Sequence, residues 1–560
     1  MSNSWTTLVA DKLQRQRQSI PPGWEISVPP NDVLDVTSVA KDCGSLSRQE
    51  LKITGIEDVE ELLHKLASGE LSSVSVTMAF YKRAIIAHQL TNCLTEIFVE
   101  RALHRAAELD EYLQTTGQTV GALHGLPISL KDQISMEGLE TIMGYVSGIG
   151  KYSEHDAVLV QILYDCGAVP FVRTNVPQTI MWAETLNNIF GRTTNPYNRS
   201  LTSGGSSGGE AALIALKGSI LGVGSDIGGS VRSPAAFCGI YGLRPSYGRV
   251  PYEGTPNSFE GQDSVLSVLG PMSRSLSGIK VFMKAIADSK PWQKDPLAVR
   301  KPWNEEEYNL LEHGHGKELC FGIIWADGVV VPHPPILRAL KQTKSALVAA
   351  GHKVIDWVPI NHLEMNTLIR AIWGSGAFED ITVATSASGE PLLTSTSLLP
   401  DSDGQTPHPF KGAQTSAYKL WQLHKRKREL RKEYLDLWEK TIEVTETGRP
   451  IDAIIAPVAP YAAPPHGMNK ISNYTRIWSL LDYPALALPV TKVNPAIDLK
   501  APPHQFLCDL DKEHYDLYDP NVFVNAPVAV QLVGRTLEEE ALIGIGEVVD
   551  AALRAIPTPV

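Results

Sequence analysis

Cysteine is scarce in this chain. Six residues in 560 are cysteine, scattered as Cys43, Cys93, Cys166, Cys238, Cys320 and Cys508 with no CxxC pair. That argues against a zinc site and against a disulfide-stapled secreted framework. No run approaches the ~18 apolar residues that a membrane helix needs. Residues 1–20 are polar and helix-like, without the apolar stretch of a signal peptide. An excess of positive charge is also missing. The formal net charge is −12 and the pI about 5.7, so the surface repels phosphate backbones and nucleic acid is a poor partner. The one basic run, His424-Lys425-Arg426-Lys427-Arg428, stands close to Glu429, Glu433 and Asp436 and reads as a solvated face of a charged helix. Neither HExxH nor GxxxxGK[ST] occurs, which removes the metalloprotease and P-loop readings. No repeat shows itself at solenoid periods. The expectation is a reduced, cytoplasmic protein with no metal, no cofactor, no nucleic acid and no membrane partner.

What is present is an ordinary globular composition, 43% hydrophobic and 20% charged. A chain of this length can bury a deep, dry pocket. Residues 1–125 read mostly as helix, with three- and four-residue apolar spacing over 56–68, 74–87 and 100–113. From 126 onward, apolar strands alternate with helices: strands at 126–130 and 168–172, a helix at 157–164. Further buried strands are expected at 453–456, 485–488 and 528–533, a long helix at 414–444, and a closing helix from Leu537. The polar tract 395–412 reads as a surface loop or lid. Near-continuous apolar strands mean a sheet covered on both faces. The fold class is therefore α/β: one α/β/α domain with a central mixed, twisted sheet covered by helices. A mainly helical part, 1–125, packs on a core formed by 126–560.

Three segments carry candidate chemistry: Pro127-Ile-Ser-Leu-Lys-Asp-Gln133, Ser203-Gly-Gly-Ser-Ser-Gly-Gly209 and Gly224-Ser-Asp-Ile-Gly-Gly-Ser-Val-Arg232. In the third, two glycines precede a serine, and glycines let successive N–H groups face one point, as a developing oxyanion requires. Taken alone, a plain glycine turn explains it as well. The second matches G-x-S-x-G, but the preceding residues are polar and include Pro196, not the buried strand that a nucleophile elbow follows. In the first, Lys131 ends an apolar strand. If buried, its ammonium form is disfavoured and it becomes a usable base near neutral pH. Ser277-Gly-Ile-Lys280 matches S-x-x-K, yet no K-T-G accompanies it, and it reads as the start of a surface helix.

Taken together, the three segments resemble the amidase-signature hydrolases: GGSSGG, then DIGGSxRxPAxFCGxYGLRP, with SLKD upstream. The chain looks most like the fungal acetamidases, a likeness that extends through HGLPISLKDQ, TNVPQT, GRTTNP, YGLRPS, VPHPPILRAL, IDAIIAP and APVAVQLVGR. The resemblance implies roles. Ser230 is the nucleophile, Ser206 a bridging serine on a cis peptide bond, and Lys131 the base. The N–H groups of Ile227, Gly228, Gly229 and Ser230 form the oxyanion hole. Asp226 and Arg232 brace the loop, Ser207 supplies a nearby hydroxyl, and Ser225 stands where threonine is common. His124, close to Lys131 in sequence, reads as a turn residue.

The implied reaction cleaves a carboxamide to carboxylate and ammonia through an acyl-enzyme. A small aliphatic or aryl-acetamide substrate is expected, with Ile180, Met181 and Trp182 as candidate pocket residues and a homodimer as the family-level expectation. The alternatives are an amidase or esterase for a specialised metabolite, or a partner-dependent subunit like that of an amidotransferase.

Overall fold

Near-continuous apolar strands form the centre of the molecule, as their composition requires. The computed structural model describes residues 4–393 and 414–555; the tract 395–412 lies outside the described residues. The strands are β1 (Leu94–Ile97), β2 (Pro127–Lys131), β3 (Val169–Thr174), β4 (Leu221–Asp226), β5 (Tyr241–Arg244), β6 (Val268–Ser273), β7 (Cys320–Ile323), β8 (Lys353–Asp356), β9 (Ala453–Pro457), β10 (Ala485–Lys492) and β11 (Pro527–Val533). They make one 11-stranded sheet in the order β1-β3-β2-β4-β6-β5-β10-β11-β9-β7-β8. Pairing is parallel for β3-β2-β4 and β9-β7-β8 and antiparallel elsewhere. The sheet is therefore mixed, and most of its strands are buried at every position.

The first 125 residues are less purely helical than their periodicity predicts. The expected helices are present as Val59–Ala67, Ser73–Thr91 and Val99–Thr116. Between the last two lies β1, which pairs antiparallel with β3 at the sheet edge. Four residues are too few for an alternating pattern to declare itself. The N-terminal part thus contributes a strand to the sheet as well as helices around it.

The long helix runs Ala417–Lys440, and a separate short helix, Ile442–Thr445, follows it. The solvated-face reading of the basic run needs correction at two residues, the first being His424, whose Nε2 meets the Ser264 hydroxyl. Arg426 is solvated and pairs with Glu364, Glu429 and Glu433. Lys427, however, turns inward and donates to the Ser264 carbonyl. The reason is helical register: Leu430, Tyr434 and Trp438, all buried, continue the same face at three- and four-residue steps. Burial lowers the Lys427 ammonium to about 8.

Candidate active site

The sheet's topology brings the three segments together. β2 and β4 are adjacent and parallel, so Lys131 at the end of one and Ser225-Asp226 at the end of the other share the carboxyl edge of the sheet, where α/β folds place their sites. The GGSS segment passes over this edge and feeds the helix Gly208–Ala215. A cis peptide bond joins Gly205 to Ser206. Its close fit explains Gly205: a Cβ there would stand 2.6 Å from the Trp182 carbonyl oxygen.

Lys131 is fully buried and Ser206 is 2% exposed. The Lys131 Nζ donates to Ser206 Oγ at 2.6 Å and to Ser225 Oγ at 2.8 Å. The Ser225 hydroxyl donates onward to Gln133 Oε1 at 2.6 Å. Ser225 thus accepts from Lys131 while holding it in line, a job that the small substitution at this position leaves intact. Burial drives the Lys131 ammonium from its ordinary 10.5 down to about 7, even though Asp226, Glu210 and Asp132 pull it upward.

The glycine loop is set by Asp226. Its Oδ1 accepts the Gly229 N–H at 2.6 Å, and its Oδ2 accepts the N–H groups of Val231 at 3.1 Å and Arg232 at 3.4 Å. The Arg232 guanidinium closes on the same carboxylate through Nε at 3.0 Å and Nη2 at 2.9 Å. Burial raises a lone carboxyl; here Arg232 outweighs that and holds Asp226 at about 2. Gly229 has φ +132°, and a Cβ there would run into the Thr475 hydroxyl, so glycine is required.

The structure divides the four N–H groups expected to act together. Gly229 has given its N–H to Asp226, whereas those of Ile227, Gly228 and Ser230 have no acceptor among the described residues. Three donors remain for an oxyanion. Ser207 joins the loops: its N–H donates to the Ser230 carbonyl at 3.2 Å, and its hydroxyl bridges the Ser225 backbone. The Ser230 side chain is half-buried, and its hydroxyl has no hydrogen bond to a described residue, so it is open to an incoming group.

Of the expected pocket residues, Ile180 is buried with φ +54°, Met181 and Trp182 are half-buried, and the Trp182 carbonyl lies against Gly205. His124 is a turn residue whose Nδ1 accepts the Val120 N–H at 3.2 Å. Ser277 lies in the helix Leu276–Asp288, accepts the Val59 N–H at 3.1 Å, and has no part in the site. Lys280 pairs with Glu60 at 3.1 Å.

Sequence reasoning missed Glu210. It follows GGSSGG directly, a carboxylate in an otherwise apolar helix, and that mismatch was the available signal. Buried beneath Lys131, it accepts from Thr174 Oγ1 at 2.6 Å and from the Ser129 hydroxyl. Burial raises its carboxyl to about 7. Thr475 was also missed: its hydroxyl donates to the Gly228 carbonyl at 2.7 Å. Among the described residues, no group of three or more His, Cys, Asp or Glu is placed to hold a metal ion.

A lysine poised near neutrality, hydrogen-bonded to a serine and set beside a loop of unpaired N–H donors, suits acyl transfer from an amide. The amidase family model matches residues 75–543, and the chain belongs to that family; it is an amide-hydrolysing enzyme. It is 43% identical over 560 residues to the acetamidase of Emericella nidulans, covering all of both chains. It is also 43% identical to the acetamidase of Aspergillus oryzae, over 99% of each. Among solved structures, a fatty acid amide hydrolase superposes with a TM-score of 0.88 at 34% identity, over 99% of this chain and 95% of that one. No helix among the described residues is long and apolar enough to cross a membrane.

Proposed function

We propose that the enzyme hydrolyses small carboxamides, acetamide first among them, through a Ser230–Ser206–Lys131 relay. Neutral Lys131 takes the Ser206 proton while Ser206 takes that of Ser230, and the freed Ser230 oxygen attacks the amide carbonyl. The N–H groups of Ile227, Gly228 and Ser230 receive the oxyanion. The proton returns along the relay to the departing nitrogen, ammonia leaves, and water, deprotonated by the same relay, releases the acyl group from Ser230. Gly229 acts through Asp226 and Arg232 by fixing the loop, as does Ser207.

The observation that carries this reading is the dry Lys131–Ser206 contact of 2.6 Å. Its position against the loop that holds Ser230 adds support. The acetamidase names of the relatives favour a short acyl group, as does the presence of Met181 and Trp182 along the segment that touches Gly205. The test is ammonia release from acetamide, longer aliphatic amides, benzamide, phenylacetamide and indole-3-acetamide, with Ser230→Ala as the control. Turnover that disappears in the variant is expected. Turnover that survives it, or an absence of both turnover and fluorophosphonate labelling at Ser230, overturns the mechanism.

A further inference from the structure

Beside the glycine loop lies a cation that the mechanism does not use. Arg476 is in the helix Asn473–Leu481, one residue after the Thr475 that holds the Gly228 carbonyl. Its stem packs on the loop: a Cβ added to Gly228 would stand 3.2 Å from Arg476 Cγ. Its Nη1 is sealed from solvent without a hydrogen-bond partner, and no carboxylate pairs with it among the described residues. Trp373 faces the same glycine, 2.8 Å from that Cβ position at its ring edge, and its Nε1 is likewise a buried donor without a partner. A second cation, the exposed Arg370, repels Arg476. Burial first, and Arg370 second, lower the Arg476 guanidinium to about 9.

A guanidinium nitrogen sealed from solvent without an acceptor is a costly arrangement, since buried donors are ordinarily satisfied. Two orphan donors at one wall, one of them on a guanidinium, with no carboxylate paired to it among the described residues, describe half of a carboxylate site. The wall adjoins Gly228, one of the residues whose N–H is open to the oxyanion. An anion held there belongs to the molecule whose carbonyl lies in the loop.

We infer that Arg476, with Trp373 beside it, forms an anion subsite that favours amide substrates carrying a carboxylate a short chain away from the scissile carboxamide, such as the monoamides of small dicarboxylic acids. The inference rests on the amidase reading of the Ser230 site. In the reaction, the C–N bond breaks and water supplies OH to the acyl carbon and H to nitrogen. The products are the dicarboxylate and ammonia. Acetamide fits the same site with the subsite unfilled.

The experiment compares kcat/KM for malonamate, succinamate and glutaramate with the matched neutral amides propionamide, butyramide and valeramide, in wild type, Arg476→Gln and Arg476→Lys. A charge-assisted hydrogen bond supports a preference of roughly ten- to a hundredfold for at least one anion over its neutral match. Arg476→Gln is expected to bring that ratio close to one, and Arg476→Lys to restore part of it. A purely structural arginine would lower both members of a pair together and leave the ratio unchanged, which overturns the inference. So does a wild-type ratio at or below one for all three pairs. If neither acetamide nor any of these amides is turned over, the small-carboxamide reading on which the inference rests fails with it, an outcome distinct from the loss of the anion preference alone.

Discussion

Lowering the pH should switch this enzyme off by protonating Lys131. The Lys131 ammonium is held at about 7, and only its neutral form can accept a proton. Below that midpoint, kcat/KM is expected to fall tenfold per pH unit, reaching about a hundredth of its plateau near pH 5. Ionised Glu210 pulls Lys131 upward, so Glu210→Gln should move the acid limb to lower pH. Lys131→Arg should be inactive at every pH, because a guanidinium does not give up its proton.

The same lowering has a cost in stability. The native pKa lies below that of the unfolded chain, so the penalty is absent above about pH 10.5, grows as the pH falls, and is complete below about 7. From 10.5 to about 7 it amounts to about 5 kcal/mol. Lys131→Met removes that penalty and loses the two hydrogen bonds to Ser206 and Ser225, worth about 1 kcal/mol each. The inactive variant should therefore be about 3 kcal/mol more stable at pH 6. At an unfolding entropy of about 2 cal/mol/K per residue, this is a rise of ~2–3 °C in the thermal midpoint. Initial-rate assays from pH 5 to 9 and thermal melts at pH 6 test both arms. A rate that stays flat down to pH 5, or a Lys131→Met variant less stable than wild type, would refute the reasoning.

Three further outcomes are expected. Arg232→Leu leaves the Asp226 carboxylate buried without its cation and should destabilise the fold by about 3–5 kcal/mol, measured by urea denaturation. Ser225→Ala removes the bridge from Lys131 to Gln133; a neutral hydrogen bond of this kind, since Lys131 acts as the free amine, supports a drop of roughly two- to tenfold in kcat, with KM little changed, read in steady-state kinetics. Ser277→Ala should leave kcat unaltered and change stability by no more than about 1 kcal/mol, since its hydroxyl meets only the Val59 N–H and the Ser275 hydroxyl among the described residues; a large loss of kcat would reopen the S-x-x-K reading.

The parts of the site that were legible in the sequence share one property: each is local in the chain. The apolar run before Lys131 announced a strand, with the lysine at its end either buried or solvated, and the paired glycines before Ser230 announced a turned backbone. β2 and β4 are adjacent and parallel, so these local signals meet at one edge of the sheet. What periodicity could not show is which residues close over that edge from elsewhere. Thr475 reaches Gly228 across 247 positions of sequence, and Trp373 arrives at the same glycine from another helix. Nothing in Asn473-Tyr-Thr-Arg-Ile-Trp478 marks it in the sequence as a neighbour of the glycine loop. The fold buries every residue of the helix except Arg476, which is half-buried with its Nη1 sealed from solvent and without a partner. A polar residue at a helix's polar position carries no signal until the packing shows which face is inside. The glycine loop shows the same limit in its backbone: four consecutive N–H groups look equivalent in the sequence, and only the Asp226 carboxylate, 2.6 Å from one of them, separates the donor that holds the loop from the three without an acceptor among the described residues.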